Sequence, residues 1–302
     1  TLLEKQGITV DHLELFQRNR RITDYIIDQK WLLRISEDVL VENCKLARVE
    51  RLSLASHIVK SGCLFSDEVR YHYIIIEYHP GSDLYATITD LTRDQSLAIG
   101  EAIARFMIEL HTITGSSYDI GHYVPTIPNY KGTWQAGHMA YIKLLETGLA
   151  KVEFEDRTRG IIQSAINYVH DKRYALEYQT GPRLLHNDLH PKNIIVHNGI
   201  LAGVIDWECS QYGERDFELV HLMHWCLFPP DADKSFVELF YSILRHLKSA
   251  WNIPYLEERL TIYQLEHELN QLIWHGNKGV AERVPRINAW LAGLGVKFVR
   301  SL

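Results

Sequence analysis

The chain has 302 residues, of which 46% are hydrophobic and 23% charged, and a net charge of −6. That length can bury a sizeable core in one large domain or two lobes, and the negative charge argues against a nucleic-acid polyanion as the main partner. No apolar run approaches the ~18 residues of a membrane span, no signal-peptide pattern is read, and Cys44, Cys63, Cys209 and Cys226 form no C-x-x-C pair; a cytoplasmic protein with reduced thiols is the expectation.

Alternating and β-branched runs predict strands at 13–16, 22–27 and 31–35, with Arg18-Asn19-Arg20-Arg21 between the first two. No glycine lies between Gly7 and Gly62. A helical stretch is expected over 41–54. Tyr73-Ile74-Ile75-Ile76 reads as a buried strand, and Pro80-Gly81 ends the segment that carries Glu77 and His79. Ile99, Ile103, Phe106, Leu110 and Ile113 recur at helical spacing and predict a helix over 96–113. Residues 114–132 read as loop. Further helices are expected at 133–150, 155–177, 234–250, 255–275 and 283–300, with Pro254 and Gly276 at helix ends.

The stretch Leu184 to Cys209, LLHNDLHPKNIIVHNGILAGVIDWEC, carries the chemistry. His186, Asp188 and Asn193 follow the H-x-D-x-x-x-x-N pattern of a phosphoryl-transfer catalytic loop. Ile194-Ile195-Val196 and Gly203-Val204-Ile205 flank Asn198-Gly199, a pair that supplies the positive φ angles of a tight hairpin turn. Folding back there returns Asp206 to the neighbourhood of Asn193. An amide oxygen and a carboxylate so placed can hold Mg²⁺ on a nucleoside triphosphate, with Asp188 available to take a proton. An alternative reading takes His186-x-Asp188-x-His190, with His197, as the transition-metal site of a hydrolase; Pro191 and the returning Asp206 oppose it.

HNDLHPKNIIV followed by VIDWE resembles the catalytic loop and metal segment of the aminoglycoside phosphotransferase and choline kinase families, small-molecule relatives of the protein kinases. The resemblance implies an α+β, protein-kinase-like two-lobed fold. Its N-lobe, residues 1–79, would be an antiparallel sheet plus a helix that binds nucleotide. Its larger helical C-lobe, residues 80–302, would carry the catalytic loop, the metal site and the acceptor site. By the same resemblance Arg34 is the cation for the α- and β-phosphates, with Glu42 as its partner and Glu50 as the rival. Glu77 and His79 would meet the nucleotide base through backbone groups, and Arg18 to Arg21 stand where the family covers the phosphates with glycines. Gly213-Glu214-Arg215-Asp216-Phe217-Glu218-Leu219 resembles the family's G-D-x-x-x-D-L-A, with Glu218 as the acid that braces the catalytic loop. His186 and His190 are expected to hold the loop's shape.

The implied reaction is Mg²⁺-dependent transfer of the γ-phosphoryl group of ATP or GTP to a hydroxyl of a small molecule. An aminoglycoside-type antibiotic leads, and a metabolite such as choline, ethanolamine, an amino acid or a sugar follows. Glu208, Glu214 and Asp216 make an acidic neighbourhood suited to a cationic acceptor, and Trp274 is a candidate stacking surface. A catalytically silent binding protein on the same scaffold is the third reading; the missing glycines favour it, and the intact Asp188, Asn193 and Asp206 oppose it.

Overall fold

Short apolar runs in the first part of the chain form strands because their branched and aromatic side chains pack on a pleated surface. They are β1 (Leu13–Arg18), β2 (Ile22–Ile27), β3 (Trp31–Ser36), β4 (Ile58–Ser66) and β5 (Val69–Glu77). All pair antiparallel, in the order β1-β2-β3-β5-β4. One face buries Ile27, Leu33, Tyr73 and Ile75, with Tyr25, Trp31 and Ile35 packed against them. The computed structural model describes residues 10–18, 21–38, 40, 45–66, 68–120, 127–228 and 234–294. They belong to two compact units: Thr1–Gln95 with His190–Cys209, and Ser96–Leu189 with Ser210–Leu302.

Two expectations fail in the first unit. The helix expected over 41–54 is helical at Lys45 and Leu46 and then gives way to turns; residues 41–44 lie outside the described part. Hydrogen bonds three residues apart, from Val49 N–H to Leu46 O and from Leu52 N–H to Val49 O, wind the chain so that Leu46, Val49 and Leu52 all face inward. β4 was not expected, because Lys60, Ser61, Gly62 and Cys63 carry no β signal. It forms because β5 offers it an edge along nearly its whole length.

The Asn198-Gly199 hairpin forms as read. β10 (Ile194–His197) and β11 (Ile200–Val204) pair antiparallel around φ angles of 51° at Asn198 and 74° at Gly199. The two-residue strand β6 (Ser82–Asp83) adds to β10, and Asp83 then caps the short helix α1 (Leu84–Thr87) by accepting from Ala86 N–H at 2.8 Å.

Helices dominate the second unit. α2 (Arg93–Leu110) buries Ile99, Ile103, Phe106 and Leu110 on the predicted face. α3 (Trp134–Leu149) starts at a Thr133 cap and α4 is Asp156–Lys172. The stretch read as loop between α2 and α3 holds a strand pair, β7 (Tyr118–Ile120) with β8 (Ile127–Tyr130). β9 (Arg183–Leu185) leads into the catalytic segment and pairs with β12 (Gln211–Gly213). Then come α5 (Leu219–Leu227), α6 (Lys234–Trp251), α7 (Leu256–His275) and α8 (Asn277–Leu291). α7 is the axial helix, buried on nearly every side by α3, α4, α5 and α8. α8 begins at Asn277 rather than 283, because Gly276 at φ 54° ends one helix and starts the next in a single residue.

Candidate active site

In the first unit, a cavity of about 500 Å³ opens on the sheet. Its walls include Asp24, Arg34, Tyr78, Lys192, Ile205 and Asp206. Arg34 presents its guanidinium fork to Asp24 on the next strand, with Nε to Oδ1 and Nη2 to Oδ2 both at 3.0 Å. The two residues are direct ladder partners of β2 and β3, which puts both side chains on one face. Gln17 on β1 adds a third bond, Nε2 to Asp24 Oδ2 at 2.6 Å. Asp24 is fully buried, and a desolvated carboxylate needs such partners. Sequence reading did not single it out; an acid inside the apolar alternation of 22–27 was the available signal. Glu42 lies outside the described residues, and Glu50 is exposed.

At the end of β5, the Glu77 carboxylate is 2.8 Å from His57 Nδ1, and Tyr78 N–H donates to Lys30 O. The ring of His79 packs against Gly203 of β11. A Cβ at Gly203 would come within 2.3 Å of its Cγ, so glycine makes the room. Burial lowers the His79 pKa; Glu77 opposes this and His57 adds to it. Side chains at 77 and 79 are thus engaged with neighbouring protein.

The hairpin brings Asn193 and Asp206 together. Ile205 N–H donates to Asn193 O at 3.0 Å, one residue before Asp206. Asp206 itself adopts φ 66°, a left-handed conformation that costs a non-glycine residue energy and is concentrated at functional sites. Trp207, wholly buried, anchors the following turn by donating Nε1–H to Val204 O at 3.0 Å. Asn193 is buried too, its Nδ2 3.4 Å from His190 Nε2, while His190 Nδ1 accepts from Lys192 N–H. The donor set of one amide and one carboxylate consists of hard oxygens, which suits Mg²⁺ better than a transition metal. Glu208, two residues on, is exposed, and its carboxyl pKa is raised by desolvation and by Asp206, against the pull of Arg34.

Asp188 sits in the second unit, on the loop after β9. Glu218 accepts from His186 N–H at 2.7 Å with one oxygen and from Asn187 N–H at 2.9 Å with the other. His111, at the end of α2, lies 3.5 Å from the same carboxylate. Asn187 takes φ 63° and accepts from Gln211 Nε2 on β12 at 3.1 Å. His186 Nδ1 accepts from Asp188 N–H. His186 and His190 therefore each spend a ring nitrogen on the loop's own backbone. The side chain of Asp188 remains partly accessible, and its Oδ1 is 3.3 Å from Nδ1 of His221, a residue that sequence reading passed over.

Two residues of the expected acidic acceptor rim are interior instead. Glu214 has no exposed surface and accepts from Tyr118 Oη–H at 2.6 Å, from Thr180 N–H and Oγ1–H, and from Gly181 N–H. Burial, with Glu214 beside it, pushes the Tyr118 pKa well up. Asp216, also without exposed surface, is paired with the buried Arg259. Burial works against the charge of Arg259, but Asp216 outweighs it and raises its pKa. Both acids brace the segment that follows β12 and leave no carboxylate for an acceptor. Trp274 is 60% exposed on α7.

A model of the phosphotransferase enzyme family, APH, matches residues 19–244. Compared with curated proteins, the chain finds no match. Among solved structures it resembles a thermostable mutant of aminoglycoside phosphotransferase APH(4)-Ia, in ternary complex with ADP and hygromycin B. The TM-score is 0.66 at 18% identity, over 99% of this chain and 97% of that one. The streptomycin-ATP-APH(2'')-IIa ternary complex gives 0.63 at 17% identity, over 94% and 93%. The GDP complex of wild-type aminoglycoside 2'-phosphotransferase-IIIa gives 0.65 at 13% identity, over 98% and 96%. Identities this low establish a shared fold, and the family match covers most of the chain. The chain therefore belongs to the phosphotransferase enzyme family and is a nucleotide-dependent phosphotransferase with a kinase-like fold.

Proposed function

We propose that this enzyme transfers the γ-phosphoryl group of ATP or GTP to a hydroxyl of an aminoglycoside-type acceptor. The observation that carries the reading is the Ile205-to-Asn193 hydrogen bond, which brings Asn193 close to Asp206, and Asp206 lines the same cavity as Arg34. Residues 1–79 supply the sheet under the nucleotide, and residues 80–302 supply the catalytic loop, the metal ligands and the acceptor site. Arg34, held by Asp24, meets the phosphates. Asn193 and Asp206 would hold Mg²⁺, which supplies neutralisation of charge on the phosphate oxygens. Asp188 accepts a hydrogen bond from the acceptor hydroxyl, orients it, and takes its proton as the new O–P bond forms.

The histidines do not favour the hydrolase reading, since ring nitrogens of His186 and His190 are committed to loop backbone and His197 is exposed. The aminoglycosides in the similar structures support an antibiotic acceptor over a metabolite. With Glu214 and Asp216 interior, Glu208 and Trp274 are the accessible members of the expected acceptor set. ADP or GDP release, measured with Mg²⁺, ATP or GTP and a panel of aminoglycosides, choline, ethanolamine, amino acids and sugars, tests the reading. Stimulation by an aminoglycoside supports it. Stimulation by choline or a sugar alone replaces the acceptor class, and failure to bind Mg-nucleotide at all returns the silent scaffold to first place.

A further inference from the structure

Glu218 and His221 lie three residues apart at the start of α5, a spacing that places them on one helix face. Glu218 holds the backbone of the catalytic loop at His186 and Asn187. His221 reaches the same loop one residue further on, its Nδ1 3.3 Å from Oδ1 of Asp188. The imidazole is 4% exposed, against 18% for the Asp188 side chain. The buried ring therefore lies against one oxygen of a carboxylate that is itself partly accessible.

That contact is backed by a second layer. The His221 ring meets His267 of α7 edge to face, with centroids 5.7 Å apart, and His267 packs on His224 at 4.7 Å. His224, one turn after His221, has Nδ1 3.3 Å from the buried carboxylate of Glu268. Arg283 and Arg286 of α8 close around Glu268 and the His224 ring. Three histidines from two helices thus form a packed row that runs from Asp188 to a charged cluster on α7 and α8. His224, His267 and Glu268 have the composition of a metal site, but the guanidinium groups of Arg283 and Arg286 already lie against His224 and Glu268.

We infer that His221 is a positioning residue for phosphoryl transfer: it fixes the carboxylate of Asp188 in the orientation that receives the acceptor's proton, and the His267–His224 row keeps its ring from turning. The inference rests on the reading of Asp188 as the proton acceptor. It differs from a general packing role because the contact is made to one oxygen of one carboxylate, and small misplacements of a reacting group cost up to about 10²-fold in rate.

The test compares His221→Leu, which removes the donor, with His221→Asn, whose amide can stand where Nδ1 stands. Both are assayed by ADP release from Mg·ATP, with water alone and with hygromycin B or kanamycin as acceptor. Leucine should lower kcat by about tenfold or more and leave the nucleotide KM within about twofold; asparagine should recover most of the loss. In an Asp188→Asn background, His221→Leu should cost nothing further. Equal losses in the leucine and asparagine variants, a change confined to KM, or full activity in His221→Leu would each overturn the proposal. Full activity in Asp188→Asn would instead overturn the reading beneath it. Should His221→Leu fail to fold, His221→Gln takes its place in the same comparison.

Discussion

Asp24 and Arg34 face each other across the β2–β3 ladder, with two parallel hydrogen bonds of 3.0 Å joining carboxylate and guanidinium. A planar fork on a carboxylate is the geometry in which arginine loses least freedom. The pair stands on the floor of the cavity proposed for the nucleotide, and the sheet itself fixes it. Arg34 is thereby given a definite direction by a partner on a rigid strand.

Removing one member leaves a buried charge. Asp24→Ala should destabilise the protein by about 3 kcal/mol and raise the nucleotide KM, since Arg34 loses its direction. The double change Asp24→Leu with Arg34→Met should restore much of the stability and none of the nucleotide affinity. Urea denaturation and an ATP titration read the two effects separately. Recovery of both together would show that Arg34 does not meet the phosphates.

The metal and proton roles proposed for Asn193, Asp206 and Asp188 separate by kinetics. Asp206→Ala should abolish Mg-nucleotide turnover, as should Asn193→Ala to a lesser degree, and Mg-dependent protection of the protein by ATP in thermal shift should weaken in both. Asp188→Asn should keep nucleotide binding while kcat falls by about 10²–10⁴-fold. Near-normal turnover in Asp206→Ala would refute the metal assignment. Equal loss of binding and rate in Asp188→Asn would make that residue structural.

Much of this site was legible because short-range chemistry fixes it. Asn198-Gly199 demanded a hairpin whatever surrounded it, and the hairpin returns Asp206 to Asn193. Helix faces such as Ile99-Ile103-Phe106-Leu110 were legible for the same reason. What escaped depends on partners distant in sequence. β4 exists because β5 offers an edge. Glu214 and Asp216 read as an acidic neighbourhood for a cationic acceptor, but partners such as Thr180, Tyr118, Gly181 and Arg259, far from them in sequence, hold them in the interior. His221 gains its meaning from Asp188, 33 residues earlier in the chain.

Glu218 tests how much the loop depends on its brace. Its two oxygens satisfy two buried N–H groups, one of them on Asn187 in a left-handed conformation. Glu218→Ala leaves both donors without those acceptors, at about 1–3 kcal/mol each, and lets the strained residue relax. Stability and kcat should fall together. Glu218→Asp, the acid the family more often carries, is one methylene shorter and should keep part of both. Chemical denaturation beside the ADP-release assay decides; unchanged kcat in a folded Glu218→Ala protein would show that loop shape does not limit transfer.

His79 and Gly203 supply a prediction that involves pH. The ring of His79 occupies the space a Cβ at 203 would need, so Gly203→Ala should cost about 1–3 kcal/mol by overpacking, and His79→Ala in the same chain should remove most of that cost. Burial holds the folded His79 pKa below its unfolded value, which for histidine is about 6.5. Above that pH both states are neutral and the group adds no pH dependence. As the pH falls through it, the unfolded chain takes up a proton that the folded one refuses, so stability drops until the folded pKa is reached. His79→Gln should therefore flatten the loss of stability between about pH 7 and pH 5, read as the difference in urea midpoints between variant and parent. Parallel curves for the two proteins would mean that the ring titrates in the fold as it does in water, and that the packing against Gly203 does not exclude its charged form.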